Sequence, residues 1–239
     1  MPSERITAGE VFFPAEEVKH LVSVLRRKPG DVVWAVDGKG GAFEVSLSVV
    51  TRREVRGKIL RSEANPGEPG LSVTLAAGLI KGGRFDWLVE KAVELGASRI
   101  IPFLSLGSVA GKPAAGKTER WRKLALAAMK QCGRSVWPEV SAAVPLEEVV
   151  LSRADYGLAI AAHAGPDCVP LADAVRSTGS PVQNALLVVG PEGGFFPAEI
   201  GAFRQAGFAI ASLGPRRLRA ETAAMALLAQ VFLLTGEGG

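Results

Sequence analysis

At 239 residues and 48% hydrophobic content, the chain can bury the core of one large domain, or of a small and a medium one. No apolar run approaches the ~20 residues of a membrane-spanning helix, and Cys132 and Cys168 lie too far apart in sequence for a disulfide framework or a zinc-ligand spacing. The net charge of +4 is shared equally by residues 1–66 and the remainder, which argues against bulk wrapping of nucleic acid but leaves room for a few placed Lys and Arg contacts.

Glu4 and Arg5 place charge early, with no signal-peptide core after them, so a cytoplasmic protein without a membrane partner is expected. Residues 32–36, 42–50 and 54–60 alternate as short antiparallel strands, separated by Asp37-Gly38 and Gly40-Gly41 turns. They predict a small β module over residues 1–66. Residues 63–70 are rich in turn formers and lack an apolar face, which predicts a linker there and a second domain over 71–239.

Beyond residue 71 the pattern changes to strand candidates at 73–79, 99–104, 156–162 and 186–189. These alternate with helices near 84–95, 118–132, 197–205 and 221–234. Phe85, Leu88, Val89 and Ala92 share one helical face, and Gly96 stands where a left-handed cap is expected. Such alternation predicts a parallel sheet covered by helices on both faces, with no metal centre.

Two segments repeat one pattern, an apolar run, a Gly/Pro turn and a helix start: residues 186–194, carrying Gly190-Pro191-Glu192-Gly193-Gly194, and residues 213–223, carrying Gly214-Pro215-Arg216-Arg217-Leu218-Arg219-Ala220-Glu221-Thr222. Ligands of open α/β sheets sit beyond the carboxyl ends of strands, so the junctions after Ala162, Val189 and Leu213 are expected to converge. Gly193 and Gly194 would leave the backbone bare for a ligand to approach its amides. His163 is then either a pocket residue or a satisfied strand-end histidine, while His20 reads as structural.

Other chemistries fit less well. Residues 111–118, Gly111-Lys112-Pro113-Ala114-Ala115-Gly116-Lys117-Thr118, satisfy the phosphate-loop pattern. They do not follow a strand directly, and Pro113 removes an amide from the cradle, so a basic loop is the simpler reading. No GxGxxG fingerprint follows a strand, and no Gly-x-Ser-x-Gly elbow is present.

The two C-terminal segments resemble the second and third signatures of the SPOUT methyltransferases, and in detail those of the RsmE family, whose members methylate N3 of a uridine in small-subunit ribosomal RNA. The resemblance extends to His20-Leu21, Val24-Leu25-Arg26, Gly30-Asp31, Asp37-Gly38, Lys81-Gly82, the run from Glu90 through Gly96, Ile101-Pro102-Phe103, Gln131, Arg134 and Pro138-Glu139. It implies a SPOUT-type α/β fold, a parallel sheet whose chain is threaded into a trefoil knot with helices on both faces, preceded by a small PUA-like β-barrel domain that binds RNA.

The resemblance also implies S-adenosylmethionine as cofactor, held around Ala162, His163, Gly190, Glu192, Gly193, Leu213, Gly214, Leu218 and Thr222. Arg219 would orient the uracil or stabilise its developing anion. Glu221 would hold that arginine or receive the proton, or serve only as a first-turn carboxylate favoured by the helix dipole. Arg26, Arg27, Lys81, Lys91, Gln131 and Arg134 are candidate contacts to ribosomal RNA. The apolar C-terminal helix, with Met225, Leu227, Leu228, Val231, Phe232 and Leu234, is expected to help form a homodimer.

Arg217 stands where the family commonly has an aliphatic residue, and Phe196 precedes Pro197 where a Ser or Thr cap is more usual. The alternatives are a non-catalytic RNA-binding assembly factor and a nucleotide-hydrolysing enzyme using residues 111–118.

Overall fold

Antiparallel pairing organises the first part of the chain in the computed structural model, which describes residues 6–7, 9–109, 111, 113–178 and 182–237. Strands β1 (Ile6–Thr7), β2 (Glu10–Phe12), β3 (Val32–Val36), β4 (Gly41–Val50) and β5 (Val55–Ala64) form one sheet in the order β1-β2-β5-β4-β3. The Asp37 carboxylate accepts the N–H groups of Lys39 (2.7 Å) and Gly41 (2.9 Å), and this local bonding turns β3 back into β4. Helix α1 (Ala15–Lys19) runs into a π-helical turn, His20–Val24, and closes one face of the sheet. Val11, Phe13, Val18, Leu21, Ala35, Val45, Leu47 and Val55 pack there as a core.

The start of the expected linker is corrected. β5 continues through residues 63 and 64, because Ala42 pairs with Glu63 and Gly41 with Ala64. Ladder bonding to β4 outweighs the turn-forming composition of that stretch. The compact unit built on this sheet comprises Met1–Glu68 together with Cys132–Trp137. Glu68 is the reason the later segment belongs to it. Its carboxylate receives two guanidinium N–H groups of Arg134 and the backbone N–H groups of Ser135 and Val136, each of the latter at 2.8 Å.

The second unit comprises Pro69–Gln131 and Pro138–Gly239. Its elements are β6 (Ser72–Gly78), α2 (Arg84–Glu94), β7 (Arg99–Leu104), α3 (Lys117–Cys132, whose last residue lies in the first unit), β8 (Glu139–Val140), β9 (Val144–Pro145), α4 (Leu146–Leu151), β10 (Leu158–Ala162), β11 (Val169–Pro170), α5 (Leu171–Arg176), β12 (Asn184–Val189), α6 (Pro197–Gln205), β13 (Ala209–Ser212) and α7 (Ala220–Leu234). Among the described residues, eight strands pair in parallel in the order β11-β13-β10-β12-β6-β7-β8, with β9 on β7. The continuous apolar runs of β6, β10 and β12 are buried accordingly, as strands covered on both faces must be.

Helix α7 packs on α2 and on the sheet. Ala224, Leu227, Leu228, Val231 and Phe232 are buried within this chain, each large side chain contributing about 1.5–3 kcal/mol of burial. Most of the apolar surface expected to be left over on this helix is thereby consumed internally, and Leu233 and Leu234 stay exposed. Gly96 (φ 100°) ends the α2 region as expected, and it also lets Phe232 approach, since a Cβ there would stand 3.1 Å from that ring. No helix among the described residues is long and apolar enough to cross a membrane.

Candidate functional site

Strands β13, β10 and β12 are neighbours in the sheet, and Ala162 pairs with both Val189 and Ala211. Their carboxyl ends are therefore level, and the three junctions that follow them meet at one place. The His163 N–H donates to the Ala211 carbonyl (3.0 Å), fixing the first junction to the third. Together they enclose a cavity of about 680 Å³, within the size range of small-molecule sites.

Gly190, Gly193, Gly194 and Gly214 are part of the wall. Gly214 has φ 120°, a conformation that side chains resist, and space is open where its Cβ would stand, so a ligand can reach its main chain. Gly193 lines the cavity and has a packing role as well. A Cβ there would lie 2.6 Å from the Gly107 carbonyl oxygen, so its bareness seats the loop after β12 against the loop after β7. Gly78 does the same at the end of β6, where a Cβ would collide with Pro191.

The charged groups of the wall sort into two sets. Arg84, at the start of α2, donates to Glu192 Oε1 and stands 3.8 Å from Glu221 Oε1; Glu192 Oε1 also receives the Lys81 N–H (3.0 Å). Burial pushes the Glu192 carboxyl upward, but the N–H of Lys81, its own N–H and the Arg84 guanidinium outweigh that and hold it below the usual carboxylate value. Glu221 is buried, and its Oε2 has no hydrogen-bond partner among the described residues. The second set is Arg216, Arg217 and Arg219, which line the cavity on the exposed loop before α7.

Of the residues expected to hold a cofactor, Ala162, His163, Gly190, Glu192, Gly193, Leu213, Gly214 and Leu218 all line this cavity. Thr222 does not; it is exposed on the first turn of α7. Arg219 lines the cavity as the residue preceding α7, while Glu221 stands behind Arg84. Arg84 is the residue that sequence reasoning missed. The signal was present, since Gly82-Gly83 after a strand end and just before a helix is the pattern used at the other junctions.

The expected RNA contacts fare unevenly. Arg26 is exposed and left-handed (φ 51°) at the close of the π-helical turn, and Arg27 reaches Asp31 at 4.0 Å. The Lys81 side chain and Gln131 are exposed. The Lys91 ammonium lies 2.7 Å from both Glu90 and Glu94, and those hydrogen bonds raise its pKa and leave the local charge negative. Arg134 is corrected. It is 3% exposed, with its guanidinium committed to Glu68, so no phosphate can reach it.

In the phosphate-loop pattern, Lys112 lies outside the described residues. Lys117, the lysine that would reach a phosphate, instead pairs with Asp86 (3.7 Å), which also binds Arg120 and the Trp121 indole N–H. Cys132 and Cys168 form no disulfide among the described residues.

A family model described as an RNA methyltransferase domain matches residues 67–232, and one described as an RNA methyltransferase PUA domain matches residues 13–60. The chain is 30% identical to ribosomal RNA small subunit methyltransferase E of Bacillus subtilis over 92% of this chain and 88% of that one. It is 32% identical to the protein of the same name from Synechocystis, over 97% and 75% respectively. A crystal structure of a ribosomal RNA small subunit methyltransferase E from Neisseria gonorrhoeae bound to S-adenosyl methionine superposes with a TM-score of 0.85 at 30% identity, covering 96% of this chain and 94% of that one.

Proposed function

This chain belongs to the RNA methyltransferase family typified by ribosomal RNA small subunit methyltransferase E, and we propose that it transfers a methyl group from S-adenosylmethionine to N3 of a uridine in small-subunit ribosomal RNA. The observation that carries this reading is the meeting of three neighbouring strand ends on one cavity of about 680 Å³ whose lining includes four glycines. The residues present fit the cofactor: Gly214 offers open space beside a backbone that no side chain could adopt easily, and Leu213 and Leu218 supply apolar surface for a purine. Ala162, His163, Gly190, Gly193, Leu213, Gly214 and Leu218 are the holding set.

When bound, S-adenosylmethionine supplies an electrophilic methyl group on a positively charged sulfur. N3 of neutral uridine carries a proton and is a poor nucleophile, so the chain's own groups must remove that proton and align the base. Arg219, at the rim, presents a planar fork of donors to the uracil oxygens, where negative charge develops. Glu221 supplies the acceptor. Glu221 is buried behind Arg84, which faces its Oε1, so it takes the N3 proton once Arg84 turns toward the RNA and uncovers the carboxylate. Glu192 stays anionic and bound to Arg84 and Lys81, which makes it a tie between the loop after β12 and the start of α2.

Arg26 and Arg27 in the first unit, and Lys81 and Gln131 in the second, contact the RNA, with residues 1–66 as its binding module and 71–239 as the transferase. A homodimer formed partly through the exposed end of α7, and a cytoplasmic location where ribosomes are built, complete the reading. The test is incubation with labelled S-adenosylmethionine and small ribosomal subunits lacking base methylation, followed by mass spectrometry of the nucleosides. N3-methyluridine at one site is expected. Cofactor binding without incorporation would transfer the activity to another RNA, and no cofactor binding would leave an RNA-binding factor.

A further inference from the structure

Four arginines line the cavity, and they are not equivalent. Arg84 is met by two carboxylates, Glu192 and Glu221. The guanidinium groups of Arg216, Arg217 and Arg219 are exposed, and none forms a hydrogen bond or ion pair among the described residues. Their loop is held at its base, where the Gly214 N–H donates to Ser212 Oγ (3.3 Å), and it ends at the positive end of the 15-residue helix α7.

Three exposed cations at one mouth, with no carboxylate paired to them, favour an anionic ligand over a cationic one, and the cofactor of the proposed function is not an anion. S-adenosylmethionine carries a sulfonium, an ammonium and a carboxylate, so its net charge is positive and these arginines repel it. Resting on that reading, we propose that Arg216 and Arg217 seat the RNA phosphates flanking the target nucleotide, leaving Arg219 to face the base.

Guanidinium forks suit phosphate oxygens, and contacts of this kind set the register of the strand without reading its sequence. Arg217 stands next to Arg216 on the same exposed loop, so the rim offers two adjacent contacts of this kind. Occupation by phosphate also removes the repulsion felt by the cofactor, so RNA binding and cofactor binding reinforce each other.

The test is the salt dependence of binding to an unmethylated small-subunit ribosomal RNA transcript for the unsubstituted protein, Arg216→Gln, Arg217→Gln, Arg217→Lys and the double glutamine variant. Each glutamine is expected to weaken binding about 3- to 10-fold and to flatten the slope of log affinity against log salt by about 0.7–1. Arg217→Lys retains the slope, because the charge is kept. Affinity for S-adenosylmethionine without RNA stays level or rises in the glutamine variants.

Unchanged slopes in variants of a protein that does bind RNA would overturn the arginine assignment and leave the proposed function standing. Loss of cofactor affinity in step with RNA affinity would also overturn it, by placing the arginines in the cofactor site. Absence of any salt-dependent RNA binding by the unsubstituted protein would remove the proposed function itself, and the assignment with it.

Discussion

Arg84 and Glu192 hold each other at the wall of the cavity, the guanidinium donating to the carboxylate oxygen that also receives the Lys81 N–H. The folded state holds the Glu192 pKa below its ordinary value of 4.5, so this carboxylate stabilises the fold fully above that value, and the contribution is lost as pH falls through the lower, folded-state pKa. Glu192→Gln is expected to cost about 1 kcal/mol near neutral pH, a modest figure because Arg84 is partly exposed and screened. It should also flatten the acid limb of a plot of Tm against pH below 4.5. Parallel acid limbs for the two proteins would contradict the linkage.

Two glycines of the site are constrained for opposite reasons, and alanine separates them. Gly193→Ala drives a Cβ to 2.6 Å from the Gly107 carbonyl, so the loops after β7 and β12 must part, at a cost of about 1–3 kcal/mol. Gly214→Ala meets open space but strains a backbone at φ 120°, a cost of about 1–3 kcal/mol. Chemical denaturation should show both losses. Calorimetric titration with S-adenosylmethionine should show Gly214→Ala losing affinity directly, since the strained backbone lines the cavity.

The roles assigned to Arg219 and Glu221 differ from cofactor binding. Arg219→Ala is expected to bind S-adenosylmethionine normally and to lower the single-turnover transfer rate about 10²–10³-fold, the range found when a donor to a developing oxyanion is removed. Glu221→Gln keeps the shape of the side chain and removes the proton acceptor, and an effect of about 10²–10⁴ is expected. Rapid-quench measurement with labelled cofactor checks both. A near-normal rate in either variant removes that residue from the chemistry.

Arg134 and Glu68 predict loss of stability and no specific RNA effect. Removing one partner of a buried ion pair leaves the other unmatched, so Arg134→Ala should cost about 3–5 kcal/mol in urea unfolding. An Arg134→Ala protein that keeps its stability but binds RNA with a flatter salt slope would return this residue to the surface.

Much of the second unit was legible in sequence because its signals are local. β7 and α6 begin and end where apolar runs, Pro197 and turn residues say they should, and the end of α2 is marked by Gly96. Helices α4 and α5 were missed: six residues each, they begin directly after Pro145 and Pro170 and are too short to show a helical period.

The cavity was legible for the same local reason, since each strand end carries its own Gly/Pro turn. What failed was long-range pairing. Arg134 reads as a surface cation because its carboxylate partner lies 66 residues earlier, and the packing role of Gly193 stays hidden because nothing near it in sequence mentions Gly107. The double ion pair of Lys91 was not read although both partners are within three residues, because the choice between solvent and such a pair is made by side-chain geometry.

The segment Cys132–Trp137 leaves the larger unit, completes the smaller one around Glu68, and returns. The amino-terminal unit is therefore not a cassette. A chimera that exchanges residues 1–66 with a relative's would strand six residues of the recipient against a foreign sheet, and a protein cut between the two units would part Glu68 from the backbone it holds. Exchange of RNA specificity between relatives, in the laboratory or in descent, has to carry two pieces of chain at once.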